Sequence, residues 1–346
     1  MNIPDPIRAA FEKKGDLVIS LSGGKDSTAT YLYLLENGVI DLVHKHGGRV
    51  VKIFADTGWE LPPTYEYLLE MEERIGHIEW LATWVPSVGE ERPAGYRARS
   101  YDFMAPLWAT ERGGDGGFMH AERHAVAKRF EERLGHYSPL IRLICEWRKF
   151  PTTVRRWCTD DTKKRPIKGY LAECSHPINT IGVRAEESSA RALMPEWEDS
   201  TGPDGYDALV WRPIHHLRYD DVIALHTRHG VAPNPAYIKG VGAGRVGCGP
   251  CVYSGADDIR WLAANHPDRL ALLADLEVAL AELDPPRAQQ GMESPRWFTK
   301  NQSNRVRQIP VAEAVRLASE DLGGDQGLLF VPEHKRGCAR WGLCGN

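Results

Sequence analysis

Residues 16 to 30, Asp16-Leu-Val-Ile-Ser-Leu-Ser-Gly-Gly-Lys-Asp-Ser-Thr-Ala-Thr30, restrict the possible folds more than any other stretch of the chain. An apolar, β-branched run from Leu17 to Leu21 breaks into Ser22-Gly23-Gly24-Lys25-Asp26-Ser27, and a helical pattern then begins with Tyr31, Leu32, Leu34 and Leu35. The pattern predicts a strand, a glycine turn and a helix N-terminus. Two glycines let the backbone turn tightly and bring its N–H groups close to an anion, while Ser22 and Ser27 add hydroxyl donors and Lys25 adds a charge. Phosphate is the natural guest, and a glycine turn with an aspartate cap is the plainer alternative. The spacing is not that of the Walker loop, whose glycines flank four residues and precede Lys-Ser/Thr. Nor is the Gly-x-Gly-x-x-Gly of dinucleotide folds present.

The stretch that follows extends the same architecture. Arg49 to Ala55 reads as a second strand ending at Asp56-Thr57-Gly58-Trp59-Glu60, Pro62-Pro63 opens a helix, and His77 to Trp84 reads as a third strand. Alternation of strand and helix predicts an α/β fold, a doubly wound, mostly parallel sheet. Ligands of such sheets lie beyond the carboxyl ends of the strands, where the Ser-Gly-Gly loop and Asp56-Thr57-Gly58 both fall. A turn or cap is the alternative role for Asp56. From about 86 to 151 the pattern loses regularity and reads as an insertion. Ile178 to Val183 predicts a further strand leading to Arg184 and Arg191, which suit a phosphate or sulfate, or else surface pairing with Glu186 and Glu187. Leu209 to Ile214 predicts a short strand, and Tyr219 to His229 an amphipathic helix. From Asp257 to Leu283 the chain turns helical, so the expected division is a nucleotide-binding domain over 1–255 and a helical extension over 256–346.

The net charge of −4 argues against indiscriminate nucleic-acid binding, but residues 141 to 166 carry a local basic excess. That segment suits either a solvated helix face or a surface for phosphates. Its Cys158 stands among basic residues near a helix start, which favours thiolate over thiol; a buried structural cysteine is the alternative. Seven cysteines, an odd number, do not resemble a disulfide framework. Without an apolar leader in Met1 to Lys14 or a run of membrane-spanning length, a cytoplasmic protein with no membrane partner is expected.

Taken together, these blocks resemble the PP-loop ATP pyrophosphatase superfamily and, within it, the phosphoadenosine phosphosulfate (PAPS) reductase family. The matching pieces are Ser22 to Ser27, Asp56-Thr57-Gly58 with Glu60, Trp157-Cys158-Thr159 with Lys164 and Pro166, Gly182-Val183-Arg184 with Glu187-Ser188 and Arg191, Trp211-Arg212-Pro213-Ile214, Asn234-Pro235 with Tyr237, and Gly247-Cys248 with Cys251. The resemblance implies an adenine nucleotide α-hydrolase-like fold. It implies that Ser22, Gly23, Gly24, Lys25, Asp26 and Ser27 hold phosphate or sulfate, that Asp56, Thr57 and Gly58 lie by the nucleoside, and that Arg184 and Arg191 complete the anion pocket.

The cysteines separate the subclasses. Assimilatory reductases end in Glu-Cys-Gly-Leu/Ile-His, whereas this chain ends in Trp341-Gly342-Leu343-Cys344-Gly345-Asn346. A single cysteine at 158 followed by Cys248-x-x-Cys251 is more similar to the DndC-type sulfurtransferases of DNA phosphorothioation and to related phage and bacterial proteins. That likeness implies a PP-loop enzyme in which Lys25 and Asp26 serve ATP-dependent adenylation with Mg²⁺, pyrophosphate is released, and sulfur transfer follows. Cys158 and Cys344 are its candidate catalytic cysteines. A cysteine desulfurase or thiol reductant is an implied partner, and a nucleic acid a possible substrate. Cys158, Cys248, Cys251 and Cys338 would ligate an iron–sulfur cluster, with zinc as the alternative. Cys248-Gly249-Pro250-Cys251 also spells the thioredoxin redox tetrad. Two further readings stay open: a PAPS or adenylyl-sulfate reductase making sulfite, and a non-catalytic nucleotide- or nucleic-acid-binding protein.

Overall fold

The computed structural model describes residues 1–87, 89–102, 119–202, 205–237, 246–283, 295–302 and 305–320. The chain divides into two compact units. Met1–Asp56, Pro62–Ala82 and Lys163–Pro235 form one; Thr57–Leu61, Thr83–Thr162 and Ala236–Asn346 form the other. Among the described residues no helix is long and apolar enough to cross a membrane.

A seven-stranded sheet runs in the order β4 (Arg99–Asp102), β3 (Ile78–Trp84), β2 (Val50–Ala55), β1 (Leu17–Leu21), β5 (Ile178–Thr180), β7 (Leu209–Trp211) and β6 (Trp197–Asp199). Strands β3, β2, β1, β5 and β7 pair parallel, with Leu17 opposite both Val50 and Ile178, while β6 is antiparallel to β7. Leu17, Val18 and Ile19 are completely buried, as strands covered on both faces must be, which is why β1 reads as a continuous apolar run rather than an alternating one. The strands expected at 178–183 and 209–214 stop sooner, at Thr180 and Trp211; the second is followed by Pro213, which cannot donate to a ladder.

One carboxylate joins the amino ends of three strands. Asp16, buried just ahead of β1, accepts the Arg49 N–H (3.1 Å), the Arg49 guanidinium (Nη2, 2.6 Å) and the Ser175 N–H (2.9 Å). Burial pushes its pKa up, but the hydrogen bonds from Arg49 and Ser175 outweigh it and hold the carboxyl below its ordinary value.

In the second unit, helices Ala121–Leu134, Pro139–Trp147, Ala256–Asn265, Pro267–Leu283 and Val311–Glu320 surround a core that includes Trp59, Phe130, Ile141, Ile144, Leu273, Leu276 and Trp297. This helical part also carries an antiparallel hairpin, Phe298–Gln302 with Arg305–Ile309. Its Glu277 accepts the N–H groups of Trp297 (3.0 Å) and Val311 (3.3 Å), which ties both ends of the hairpin to one helix. Arg142 is the first surprise of the basic segment. It is fully buried, paired with Glu131 (Nε, 2.8 Å; Nη2, 2.9 Å) and Glu90 (Nη2, 2.8 Å), and its guanidinium lies 4.6 Å from the Tyr137 ring centroid. It serves neither as a solvated face nor as a phosphate contact. A buried cation with two carboxylates is costly to break from one side, by about 3–5 kcal/mol.

Asp16→Asn should lower stability at neutral pH by about 1.5–3 kcal/mol, the range for hydrogen bonds to a charged group. A depressed folded pKa stabilises above the unfolded carboxylate pKa, and that stability is lost as pH falls through the folded value. The variant should therefore show a flatter acid limb in denaturant melts taken between neutral pH and the acid transition, and an unchanged limb would contradict the clamp.

Candidate functional site

The sequence order of the strands reverses at β1, whose two neighbours are β2 and β5. Ligands of open α/β sheets bind at such a reversal, outside the carboxyl ends. The loops that leave β1 and β5 meet there. Gly182, just past β5, packs so closely on the loop that an added Cβ would fall 2.7 Å from the Asp26 carbonyl carbon and 2.8 Å from the Ser27 nitrogen. No other residue fits that position without moving the loop.

The loop itself is held from inside and outside. Gly23 takes a left-handed conformation (φ +70°), where a Cβ would also strike Thr64 at 2.7 Å. Asn234 donates to the Gly23 carbonyl at 3.1 Å and to the Thr64 hydroxyl at 3.4 Å. The Ser22 N–H donates to Ser27 Oγ (3.1 Å), and that hydroxyl donates to the Gly24 carbonyl (2.9 Å). Helix Lys25–Glu36 then starts with Gly24 at its N-cap, so no side chain closes the positive end of the helix dipole.

Three charged side chains form the polar centre. Asp26 accepts from Lys25 Nζ at 2.9 Å and from Arg184 Nε at 2.6 Å. Burial raises the Asp26 pKa, yet the charges of Lys25 and Arg184 outweigh that penalty and hold it below the ordinary carboxylate value. Burial acts downward on Arg184, and Asp26 reverses it to a net rise. The Tyr219 ring lies 5.7 Å from Lys25 Nζ and 5.9 Å from the Arg184 guanidinium. His226 directs Nε2 at the Lys25 carbonyl (2.9 Å) and Nδ1 at the Val231 carbonyl (3.3 Å). Burial holds its pKa below the ordinary value, against the opposing pull of these two carbonyls.

Of the sequence-predicted residues, Ser22, Gly23, Gly24, Lys25, Asp26, Ser27 and Arg184 come together at this loop. Arg191 is paired with Glu187, and Arg184 also with Glu186 (2.6 Å), so both arginines carry the carboxylate pairing weighed as the alternative. Asp56, at the end of β2, accepts the Tyr65 hydroxyl at 2.8 Å, beside a Tyr65–Trp80 stack with centroids 5.8 Å apart. Tyr219 and His226 escaped the sequence reading because nothing local marks them: a helix some two hundred residues along the chain delivers them.

Thr57 and Gly58 belong to the second unit, where the Thr57 hydroxyl lies 3.6 Å from the Cys248 sulfur. Glu60, fully buried, accepts the Thr57 hydroxyl (2.7 Å) and the Trp59 N–H (3.3 Å) on Oε2, and the Cys248 thiol approaches Oε1 at 3.6 Å. The Gly249 N–H donates to the Trp59 carbonyl (3.0 Å), and the Trp59 indole to the Pro250 carbonyl (3.1 Å). Gly58 (φ +64°) could carry no side chain, since a Cβ would lie 2.4 Å from the Ser138 Cα. Cys158 stands where a short helical turn, Trp157–Thr159, passes into a π-helical stretch, Asp160–Lys164, and its carbonyl accepts the Thr162 hydroxyl at 2.6 Å. Among the described residues Cys158, Cys248 and Cys251 form no disulfide, and Cys338 and Cys344 lie outside the described residues. Among the described residues no three His, Cys, Asp or Glu side chains are gathered as a metal-holding group. Cys338, the fourth residue of the set read from the sequence, lies outside those residues.

Residues 122–254 match the phosphoadenosine phosphosulfate reductase domain. The chain is 34% identical over 274 residues to an uncharacterized 37.8 kDa protein in the gpa 5′ region of Escherichia phage 186, covering 76% of this chain and 75% of that protein. A solved structure, phosphoadenylyl-sulfate (PAPS) reductase from Candida auris in a phosphate complex, is similar over 67% of this chain and 81% of that chain, with 15% identity and a TM-score of 0.33. The chain belongs to the PAPS reductase family.

Gly182→Ala should displace the phosphate loop. The expected outcome is a stability loss of about 1–3 kcal/mol from overpacking. ATP affinity by calorimetry should weaken about tenfold or more, which is about 1.4 kcal/mol. Wild-type affinity in this variant would contradict the contact.

Proposed function

We propose that this protein binds ATP at the Ser22–Ser27 loop and uses it to activate a substrate oxygen for replacement by sulfur. The observation that carries the reading is the loop itself, with glycine backbone, two hydroxyls, Lys25 and an uncapped helix end converging at the sheet's switch point. Backbone N–H groups and Lys25 would stabilise the charge that develops on departing pyrophosphate. ATP would enter as its Mg²⁺ complex, which would offset part of the phosphate charge.

The substrate oxygen attacks the α-phosphorus, the bond to the bridging oxygen of pyrophosphate breaks, and pyrophosphate leaves with the electron pair. The adenylated oxygen is now a good leaving group. The terminal sulfur of a cysteine persulfide displaces AMP, and a second cysteine thiol cleaves the resulting S–S bond, leaving thiolated product and a disulfide. An external thiol reductant supplies the two electrons that reset it, and a cysteine desulfurase would renew the persulfide. Cys158, and Cys344 from outside the described residues, are the candidate carriers.

The family match also favours a second reading, reduction of PAPS or adenylyl sulfate to sulfite with Cys344 or Cys338 as attacking thiol. The two readings separate in one assay set. On the first, ATP with candidate acceptors under reducing, anaerobic conditions yields pyrophosphate, and Lys25→Ala and Asp26→Ala lower the rate by about 10²-fold or more, the loss typical of a charge-stabilising group. Sulfite from PAPS without pyrophosphate release, abolished by Cys344→Ser, would instead establish the second.

A metal centre on Cys158, Cys248, Cys251 and Cys338 would require these thiols to gather around it. Iron and zinc analysis of anaerobically purified protein tests it: stoichiometric iron with visible absorbance establishes a cluster, stoichiometric zinc the alternative, and neither leaves the cysteines as thiols.

A further inference from the structure

The basic stretch from Arg148 to Arg156 is used neither by the phosphate loop nor by the Glu60–Cys248 contact. In the second unit, helix Pro139–Trp147 ends at Arg148, and the chain turns again at Thr152–Arg155. There the Thr152 N–H donates to the Arg155 carbonyl (3.1 Å) and the Arg155 N–H to Thr152 Oγ1 (3.0 Å). This turn lifts Val154 to 80% exposure and leaves Arg155 and Arg156 exposed. Tyr253, itself 40% exposed, donates its hydroxyl to the Thr153 carbonyl at 3.3 Å, which fixes its ring beside the turn. The Arg156 guanidinium lies 5.6 Å from that ring's centroid, and Lys149 Nζ lies 5.3 Å from the Trp147 ring.

Some exposed arginines meet carboxylates, as Arg228 meets Glu36 and Arg133 meets Asp275. Among the described residues Lys149, Arg155 and Arg156 have no carboxylate partner, and nearby Glu146 is taken by Arg123 at 3.0 Å. In a chain with a net charge of −4, a cluster of unanswered cations against an anchored aromatic ring marks a surface for a polyanion that also presents planar groups.

We propose that this face binds a single-stranded nucleic acid, with phosphates at Lys149, Arg155 and Arg156 and a base stacked on Tyr253. Aromatic platforms beside cationic tracks are how proteins hold single strands without reading sequence. An acidic peptide would satisfy the cations but has no use for the ring. The face adjoins both cysteine segments along the chain: Arg156 precedes Cys158 by two residues, and Tyr253 follows Cys251 by two. A bound strand is thus held by the same unit that carries these thiols. Binding here does not depend on ATP turnover.

The test is fluorescence anisotropy with labelled DNA and RNA oligonucleotides of about 16 nucleotides, titrated with the full chain across a range of salt. A Lys149→Ala, Arg155→Ala, Arg156→Ala triple variant should bind about tenfold or more weakly. Its plot of log affinity against log salt should be shallower by about 2, from three phosphates at about 0.7 each. Tyr253→Ala should weaken binding by about five- to a hundredfold at an unchanged salt slope, and Tyr253→Phe should retain it. ATP titrations of the same variants should match wild type, which separates this proposal from the phosphate-loop reading. The tighter of DNA and RNA names the source of the strand. Wild-type affinity in the triple variant, no response to Tyr253→Ala, or binding to phosphatidylserine vesicles but to neither oligonucleotide would overturn the proposal.

Discussion

The parallel pairing of β1 with both β2 and β5 is the constraint on which the phosphate loop depends. A loop built on two glycines has little conformational preference of its own, and its shape must be imposed from outside. Because β5 lies directly beside β1, the backbone at Gly182 presses on Asp26 and Ser27, while Thr64 and Asn234 close the other side around Gly23. Asp16 fixes the opposite ends of the same three strands. The loop is thus held by hydrogen bonds and close contacts that all trace back to one strand register.

The charges at the loop are arranged differently from those elsewhere in the chain. Arg142 meets two carboxylates in a closed core network, which yields architecture and no reactivity. Arg184 and Lys25 share a single carboxylate, that of Asp26, though Arg184 also reaches Glu186. Under the proposed reading a nucleotide phosphate arrives as a competitor for cations already aimed and partly neutralised, and binding exchanges one anion for another rather than capturing one in an empty field. Such an exchange limits the affinity for small anions and favours ligands that bring several phosphate oxygens at once.

Sequence patterning revealed the five parallel strands and the loop because these follow local rules, continuous apolar runs for buried strands and glycines where the chain must turn, whereas the edge strands Arg99–Asp102 and Trp197–Asp199 were not legible. Helix Pro62–Ile75 was equally legible from its two prolines. Charged residues were harder to read, because a charge's role depends on partners remote in sequence. Arg142 lay within a basic segment and proved to be a core residue, since Glu90 and Glu131 lie on other segments. Glu60 stood in a motif by the nucleoside, and the geometry turns it toward Cys248, 188 residues away. The hairpin at 298–309 escaped notice because its five-residue strands, Phe-Thr-Lys-Asn-Gln and Arg-Val-Arg-Gln-Ile, are too polar to show a buried face.

The division of the chain has a consequence for how the protein is made. Neither unit is a contiguous segment: the chain passes from one to the other after Asp56, Leu61, Ala82, Thr162 and Pro235. During synthesis, β1 must wait for residues 178–180 before its second neighbour exists, and the first unit cannot close until Pro235 has been made. Long-range parallel pairing of this kind folds slowly, because loop closure precedes the contacts that reward it. The nascent chain therefore carries apolar strands without partners over much of its synthesis, and truncation at any of the first four crossings leaves both units incomplete, whereas truncation after Pro235 interrupts the second unit alone.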